Sequence, residues 1–501
     1  MPAEPQPPRP AAFEPGGSAV RLLTCRAAER PDHPFLWVEE RGPWRLGDLV
    51  ADAARLGDAL TARSIGPGHR VLLRLGNDAT FLPGLAGVWL AGATAAVMHP
   101  ATPASEVTRV EEAFGVAAVV TADGDRLVDT GVAGAARALA SDPDDTALIL
   151  LTSGSTGEPK GVALSHEAVW ANLRATVSAF RSDTRPTPIP TEPKAPNLIA
   201  NPLSHTAGVV RLLFALYVGR SVVLLRKFDA RAAHAAVHRH GIDHLTLNPA
   251  MLRMLLDDLD PGEDLGAVRY ASSGTAPLPP ALGEAFEARF GVPVLQAYGQ
   301  TEAFGGIAVE NVRDVLAGRR RPGSVGRPLP GVDVRIVRPD GEAAAPGEDG
   351  EIQARSRSVT SGYVGAAEAA PPLTADGWLR TGDLGHLDTD GYLFITGRLK
   401  NIIICGGFNI VPEEVEARLV EDPAVRAAAV VAFPDERLGE IPVALVESDG
   451  EPADILARAA DRLPAYKRPR LLFTVDALPR VANGKVDQAE VRKLALHLAN
   501  R

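Results

Sequence analysis

The order of apolar and polar residues predicts an α/β protein with a large N-terminal domain and a small α+β domain after it. Three observations carry that expectation. From about residue 18 to 400, short apolar runs alternate with helical stretches. Runs such as RVLLRL at 70–75, ALILL at 147–151, SVVLL at 221–225 and PVLQAY at 293–298 read as buried strands of an α/β sheet. From about 326 to 400 short strands and Gly/Asp turns take over, which predicts a β-rich subdomain on the α/β body. Beyond Lys400 the pattern restarts, with Pro412 opening a helix and strands expected near 425–433, 441–447 and 470–475. Helices near 453–463 and 487–499 complete that unit. The expected division is a disordered tail over 1–17, a large domain over 18–399 and a small one over 400–501.

A chain of 501 residues is too long for one growing core, which agrees with two or more domains. Its 52 basic and 62 acidic residues give a net charge of -10 with no basic cluster, which argues against nucleic acid as a partner. Cys25 and Cys405 form no C-x-x-C pair, as expected of a reducing cytoplasm without a structural zinc site. The Pro-rich opening lacks the apolar core of a secretory signal. Phe81 to Met98 is apolar but carries Pro83, Gly84, Gly87 and Gly92. It reads as a buried helix and a short strand, so no integral membrane segment is expected.

The most informative segment is LTSGSTGEPKGVALSH, Leu151 to His166. An apolar strand enters Thr152, Ser153, Gly154, Ser155, Thr156 and Gly157, followed by Pro159, Lys160 and Gly161. Glycines let backbone N–H groups crowd around phosphate oxygens, hydroxyls add donors and the lysine adds charge. The Walker spacing G-x-x-x-x-G-K-[ST] is absent, and Pro159 blocks the helix that a Walker loop needs. On composition alone, a flexible Ser/Thr/Gly linker fits as well.

This segment resembles the signature loop of the adenylate-forming superfamily, which includes acyl-CoA synthetases, luciferases and peptide-synthetase adenylation domains. Further matches follow in the family's order and extend the resemblance from about residue 18 to 500. Tyr298-Gly299-Gln300-Thr301-Glu302 resembles the motif that sets a tyrosine against adenine, a threonine on the α-phosphate and a glutamate on Mg²⁺. Gly274, Thr275 and Ala276 resemble the turn beside adenine. Asp383 and Arg398 resemble the two ribose contacts, and Gly406 and Gly407 the turn near the pantetheine channel. Lys400 falls at the family's hinge, which makes the small domain mobile. Position 401, usually acidic in that family, is Asn401 here. Lys485, after an Asn-Gly turn, resembles the lysine that neutralises charge as a carboxylate attacks the α-phosphorus; without the resemblance it reads as a solvated surface lysine.

The resemblance implies an ATP-dependent acid–thiol ligase using ATP, Mg²⁺ and coenzyme A, with Lys485, Glu302, Thr301, Lys160 and His205 as catalytic groups and Glu302 as the metal ligand. Asn201 to Gly208 resembles the acyl-CoA ligase form of the substrate gate, and no aspartate between Asn201 and Val210 awaits an α-ammonium group. A fatty, aryl or alicyclic acid is therefore expected, in a pocket of His205, Ala207, Gly208, Val209, Asn248, Ser273, Phe304, Gly305 and Gly306. The glycines after Phe304 suggest room for a bulky or long acid. A carrier protein's phosphopantetheine arm is the alternative acceptor, and a non-catalytic acyl-adenylate sensor the alternative of another class. A cytoplasmic monomer or homodimer is expected. His234 and His238, at i,i+4 without the glutamate of H-E-x-x-H, read as a solvated helix face.

Overall fold

The computed structural model describes residues 18–129, 145–152, 160–179, 194–365, 372–405, 408–435, 438–463, 467–481 and 484–499. It shows a mixed α/β architecture with a large N-terminal part and a small C-terminal one. The expected tail, 1–17, lies outside the described residues.

The main sheet has seven strands. Arg70–Leu73, Thr94–Val97, Val116–Asp123 and Thr146–Thr152 supply its parallel centre, their runs almost wholly buried. Strands with both faces covered read as continuous apolar runs, which is why this region was legible. Phe81–Leu90 is the buried helix expected in the most apolar stretch, and the strand Thr94–Val97 follows it. Among the described residues no helix is long and apolar enough to cross a membrane. Thr146–Thr152 pairs antiparallel with Lys160–Ser165, the register running to Thr152 opposite Lys160. The short strand Gly362–Val364 then adds to the outer side of Lys160–Ser165, far from its own sequence neighbours.

A second sheet sets His244–Leu247, Tyr270–Ser273 and Val294–Gln300 in parallel, then Gly305–Val309 antiparallel. The helix Thr206–Val218 packs its apolar side, including Val209, Leu212, Leu213 and Leu216, into the main core. The β-rich region forms its own four-stranded antiparallel sheet, in which Leu379–Leu387 pairs with Leu393–Arg398 and Asp383 stands opposite Arg398.

The small part has a sheet of its own, with separate apolar clusters around Val430 and Ala444 on one side and Leu445 and Val491 on the other. Pro412–Val420, Pro452–Ala459 and Gln488–Ala499 are its helices. Pro412 at the first helical position loses no hydrogen bond, because the first amides of a helix have no internal acceptor.

Candidate active site

Three of the sequence-predicted groups meet where the second sheet ends against the β-rich sheet. Tyr298 donates its hydroxyl to Asp383 Oδ2 at 2.6 Å, and Arg398 Nε lies 2.8 Å from Asp383 Oδ1. Asp383 is 3% exposed, so its charge is held by these two partners. Burial, Asp383's charge and the hydrogen bond to it all raise the Tyr298 pKa well above the ordinary phenol value, so its hydroxyl stays protonated. One carboxylate can accept more hydrogen bonds than these two, which leaves capacity for a ligand hydroxyl.

One residue beyond the strand Val294–Gln300 the chain makes a 3₁₀ turn, Thr301–Ala303. There Thr206 donates its hydroxyl to Thr301 Oγ1 at 2.8 Å. Glu302 Oε1 accepts from the Tyr363 hydroxyl at 3.0 Å, and Lys160 Nζ stands 3.4 Å from the Tyr363 ring centroid. Tyr363 thus ties together two predicted groups that are remote in sequence. Burial and the Glu302 charge raise its pKa far beyond neutral pH, so it remains a donor. Gln300 Nε2, beside this turn, is buried with no partner among the described residues.

The turn Gly274-Thr275-Ala276 follows the strand Tyr270–Ser273. Thr275 adopts φ +71°, and a β-branched residue in the left-handed region is strained. The strain sits where the sequence placed an adenine-side turn.

Lys485 comes from the small domain. Val481 N donates to Lys485 O and Gly484 N to Val481 O, both at 2.8 Å, forming a tight turn with Gly484 at φ +83°. A Cβ on Gly484 would stand 3.1 Å from Ala250 Cβ, so this turn lies against the helix Pro249–Asp258 of the large domain. The Lys485 side chain is solvent-accessible, yet desolvation by the crevice walls lowers its pKa below the lysine range. Arg398 pushes in the same direction and Asp383 opposes it. His205, at the N-cap of the helix Thr206–Val218, also has a lowered pKa, through desolvation first and then His99 and Lys485. It is neutral at pH 7.

The remaining predicted residues separate into wall and backing. Ala207 is half-buried, Asn248 caps the helix Pro249–Asp258 by accepting from Met251 N at 2.9 Å, and Ser273 is buried with an orphaned Oγ. Val209 and Phe304 are fully buried in the main core and stand behind the crevice instead of facing it. The glycines after Phe304 make less room than expected. A Cβ on Gly306 would meet Leu329 Cδ1 at 2.8 Å, and one on Gly305 would meet Val210 Cγ2 at 3.4 Å and Asn172 Nδ2 at 3.7 Å. Those glycines admit neighbouring side chains. Gly208 likewise lets the helix start against Pro202, whose carbonyl a Cβ would meet at 2.3 Å.

Ser153, Gly154, Ser155, Thr156, Gly157, Gly406 and Gly407 lie outside the described residues, as do the side chains of Thr152 and Lys400. His234 and His238 face each other at 3.1 Å on an exposed surface, and among the described residues no group of three or more His, Cys, Asp or Glu is set to hold a metal. Tyr363, Asn172 and Arg211 were missed by sequence reasoning. The first two carried no signal, whereas Arg211 interrupts the apolar run from Gly208 to Val218 and was visible there.

Residues 23–364 match the family described as AMP-binding enzyme, and 414–485 the AMP-binding enzyme C-terminal domain. The chain is 34% identical to the sulfoacetate–CoA ligase of Cupriavidus necator, covering 94% of this chain and 96% of that protein. It is 34% identical to a feruloyl-CoA synthase of an Amycolatopsis species, covering 89% and 93%. The o-succinylbenzoate CoA synthetase of Bacillus subtilis in complex with its acyl-adenylate intermediate shares the fold, with a TM-score of 0.79, 27% identity and coverage of 94% and 97%. The same enzyme in complex with ATP and magnesium gives a TM-score of 0.78 at 27% identity, covering 94% and 99%.

Proposed function

Because this chain belongs to the AMP-binding enzyme family, we infer that it is an ATP-dependent, AMP-forming acid–CoA ligase. It uses ATP with Mg²⁺, a small carboxylic acid and CoA. The observation that supports the residue-level reading is the seating of the turn that carries Lys485 against the large domain, a Cβ on Gly484 standing 3.1 Å from Ala250 Cβ, with Arg398 and Asp383 both acting on the lysine's charge.

The chemistry sets the requirements. A carboxylate is a poor electrophile because its leaving group would be oxide. Its attack on the α-phosphorus of ATP releases pyrophosphate and gives an acyl-adenylate, whose leaving group is AMP. Such catalysis is positioning and charge stabilisation. On this reading Asp383 and Arg398 would take the ribose, with Tyr298 fixing the carboxylate orientation and flanking adenine beside the turn at Thr275. Since Thr301 accepts from Thr206, its own hydrogen is available to an α-phosphate oxygen. The Lys485 ammonium would meet the charge that develops there, and preorganised groups of this kind contribute about 10²–10³ in rate. Neutral His205 borders the acid without competing as a cation.

The residues present fit the metal. Glu302 has one oxygen tied to Tyr363 and one left over, and Mg²⁺ needs only one or two carboxylates beside phosphate oxygens. When bound, the ion would supply positive charge to neutralise the phosphates.

We further propose that residues 18–399 and 400–501 are the moving bodies, with the hinge at Lys400. In the described pose Lys485 serves adenylation. Rotation would withdraw it and bring Gly406 and Gly407 to the thiol channel for attack on the mixed anhydride. The loop 152–157 with Lys160 is assigned to the β- and γ-phosphates by its composition and by the Lys160–Tyr363–Glu302 contact. The acid lacks an α-amino group on this reading, since no aspartate lies between Asn201 and Val210. A cytoplasmic monomer or homodimer without nucleic-acid partners fits the acidic balance and the cysteine usage. The acceptor is CoA, with a carrier-protein arm as the second reading.

Pyrophosphate release from ATP across a panel of acids, with and without CoA, for wild type and Lys485→Ala tests this. Acid-dependent release that is nearly lost in the variant, together with acyl-CoA formation, is the expected result. Adenylation that yields thioester only with a carrier protein would move the acceptor. Release unaffected by Lys485→Ala would sink the role of that lysine.

A further inference from the structure

The helix Thr206–Val218 divides by face. Val209, Leu212, Leu213 and Leu216 are at most 1% exposed and belong to the main core. Ala207, Val210, Arg211 and Phe214 are half-buried, at the i, i+3, i+4, i+7 spacing of one helical stripe. On that stripe Val210 packs toward Gly305, its Cγ2 being 3.4 Å from a Cβ position on that glycine.

Arg211 is anomalous on such a stripe. Among the described residues its one side-chain hydrogen bond runs from Nη1 to Thr246 Oγ1, at 2.7 Å, on the neighbouring sheet. Its Nε is wholly buried and unpartnered among the described residues, and none of their carboxylates acts on its charge. Burial alone pushes its pKa down to about 10, with no anion offsetting it. A guanidinium carries five donors and prefers an acid it can grip with two of them. An unpaired buried charge costs free energy that an apolar side chain of similar size would not. On the Gly305 side of Val210, Asn172 is 0% exposed with both amide atoms unpartnered among the described residues.

We propose that Arg211 is a specificity-determining residue that binds a second anionic group, a carboxylate or sulfonate, on the acid being activated. This rests on the ligase reading above. On the ligase reading His205, at the N-cap, marks the end at which the acid is activated; from Ala207, the first stripe residue after it, Arg211 is four residues further on, about 6 Å along the helix axis. The favoured acid therefore carries two acidic groups about one helical turn apart. The substrate charge completes the ion pair that the fold leaves half made, and a neutral chain of equal length leaves the guanidinium buried and alone.

The test uses length-matched acids ending in a carboxylate, a sulfonate or a neutral amide, with the whole enzyme as wild type, Arg211→Met and Arg211→Lys. kcat/KM for acyl-CoA formation is read for each. Wild type should prefer an anionic end by about 10²–10³-fold, mostly through KM. The carboxylate and sulfonate arms decide which anion it is. Arg211→Met should reduce the preference below about tenfold and improve use of the amide, while Arg211→Lys keeps part of it. The free Arg211→Met protein should melt no lower than wild type, and an anionic-ended acid should raise the melting temperature of wild type alone. Equal use of neutral and anionic ends by wild type, or a preference that survives Arg211→Met, overturns the proposal and leaves the ligase reading standing. So does a melting temperature that falls together with activity on every acid, since that marks a structural arginine. No turnover with any acid fails the ligase reading and this inference with it.

Discussion

Replacing Asn401 by aspartate should separate the two half-reactions of the enzyme. Asn401 Nδ2, one residue past the proposed hinge, donates to Glu413 Oε1 at 3.0 Å and so holds that side chain, on the helix Pro412–Val420, against the large part, where its Oε2 is 3.2 Å from a Cβ position on Gly397. Glu413 Oε2 is buried without a partner among the described residues, so that carboxylate has no other anchor to turn to. Asn401→Asp removes a hydrogen bond to a charged acceptor, worth about 1.5–3 kcal/mol. It also sets two carboxylates together, which at about 4 Å and an effective dielectric of 20 repel by about 4 kcal/mol. Both residues are half-buried, so rotation toward water relieves much of that. A net loss of about 2–4 kcal/mol for this pose remains, or roughly 30- to 10³-fold in its population. Adenylation read by pyrophosphate–ATP exchange should fall by that factor. Conversion of supplied acyl-adenylate and CoA to thioester should be unchanged or faster if, as proposed, it draws on a second pose. Loss of both half-reactions in parallel would indicate local unfolding, and loss of neither would refute the idea that this contact holds the pose.

Three further outcomes follow from the geometry. The Lys485 pKa is lowered in the free protein, so kcat/KM for the acid should lose its protonated lysine at a pH below the usual lysine range. Saturating ATP, by adding negative charge, should shift that alkaline limb upward, and a limb unmoved by ATP would remove Lys485 from the phosphate. Tyr363→Phe keeps the ring under Lys160 but frees Glu302; adenylation should fall roughly ten- to a hundredfold, with a higher Mg²⁺ requirement in a Mg²⁺ titration. Glu416, on the helix Pro412–Val420, is raised from 4.5 to about 8 by burial, with Glu413 adding to it and a hydrogen bond from Val430 N opposing it. A carboxyl raised on folding stabilises the fold fully below its unfolded pKa, and that contribution is lost as pH rises through the folded value. Melting temperature should therefore decline between about pH 4.5 and 8 in wild type, and Glu416→Gln should flatten that decline.

The sheet strands and the small domain were legible because buried strands leave apolar runs and Pro412 marks a helix start. Tyr298, Asp383 and Arg398 could be singled out in the sequence because their motifs are rare in that order, and the structure brings the three together. Contacts across the fold were not legible. Tyr363 sits in an unremarkable Gly-Tyr-Val and gains its place only when that strand crosses to the main sheet. The room inferred from Gly306 shows a related limit. A glycine marks space where a Cβ cannot go, and the sequence does not say whether a ligand or a side chain such as Leu329 takes it. Arg211 was visible as a charge in an apolar helix, but only the fold shows that no acid among the described residues accompanies it.

The strand Gly362–Val364 closes the outer side of Lys160–Ser165, although nearly 200 residues separate them in sequence. A fragment ending before 362 would present Lys160–Ser165 as a bare strand with the apolar run Val162-Ala163-Leu164 at its centre. Exposed edges of that kind recruit other chains. A nascent polypeptide passes through this stage, so its main sheet stays unsealed until Gly362–Val364 has been synthesised and docked. Truncations that stop short of 365 should aggregate, however complete their nucleotide-side motifs are.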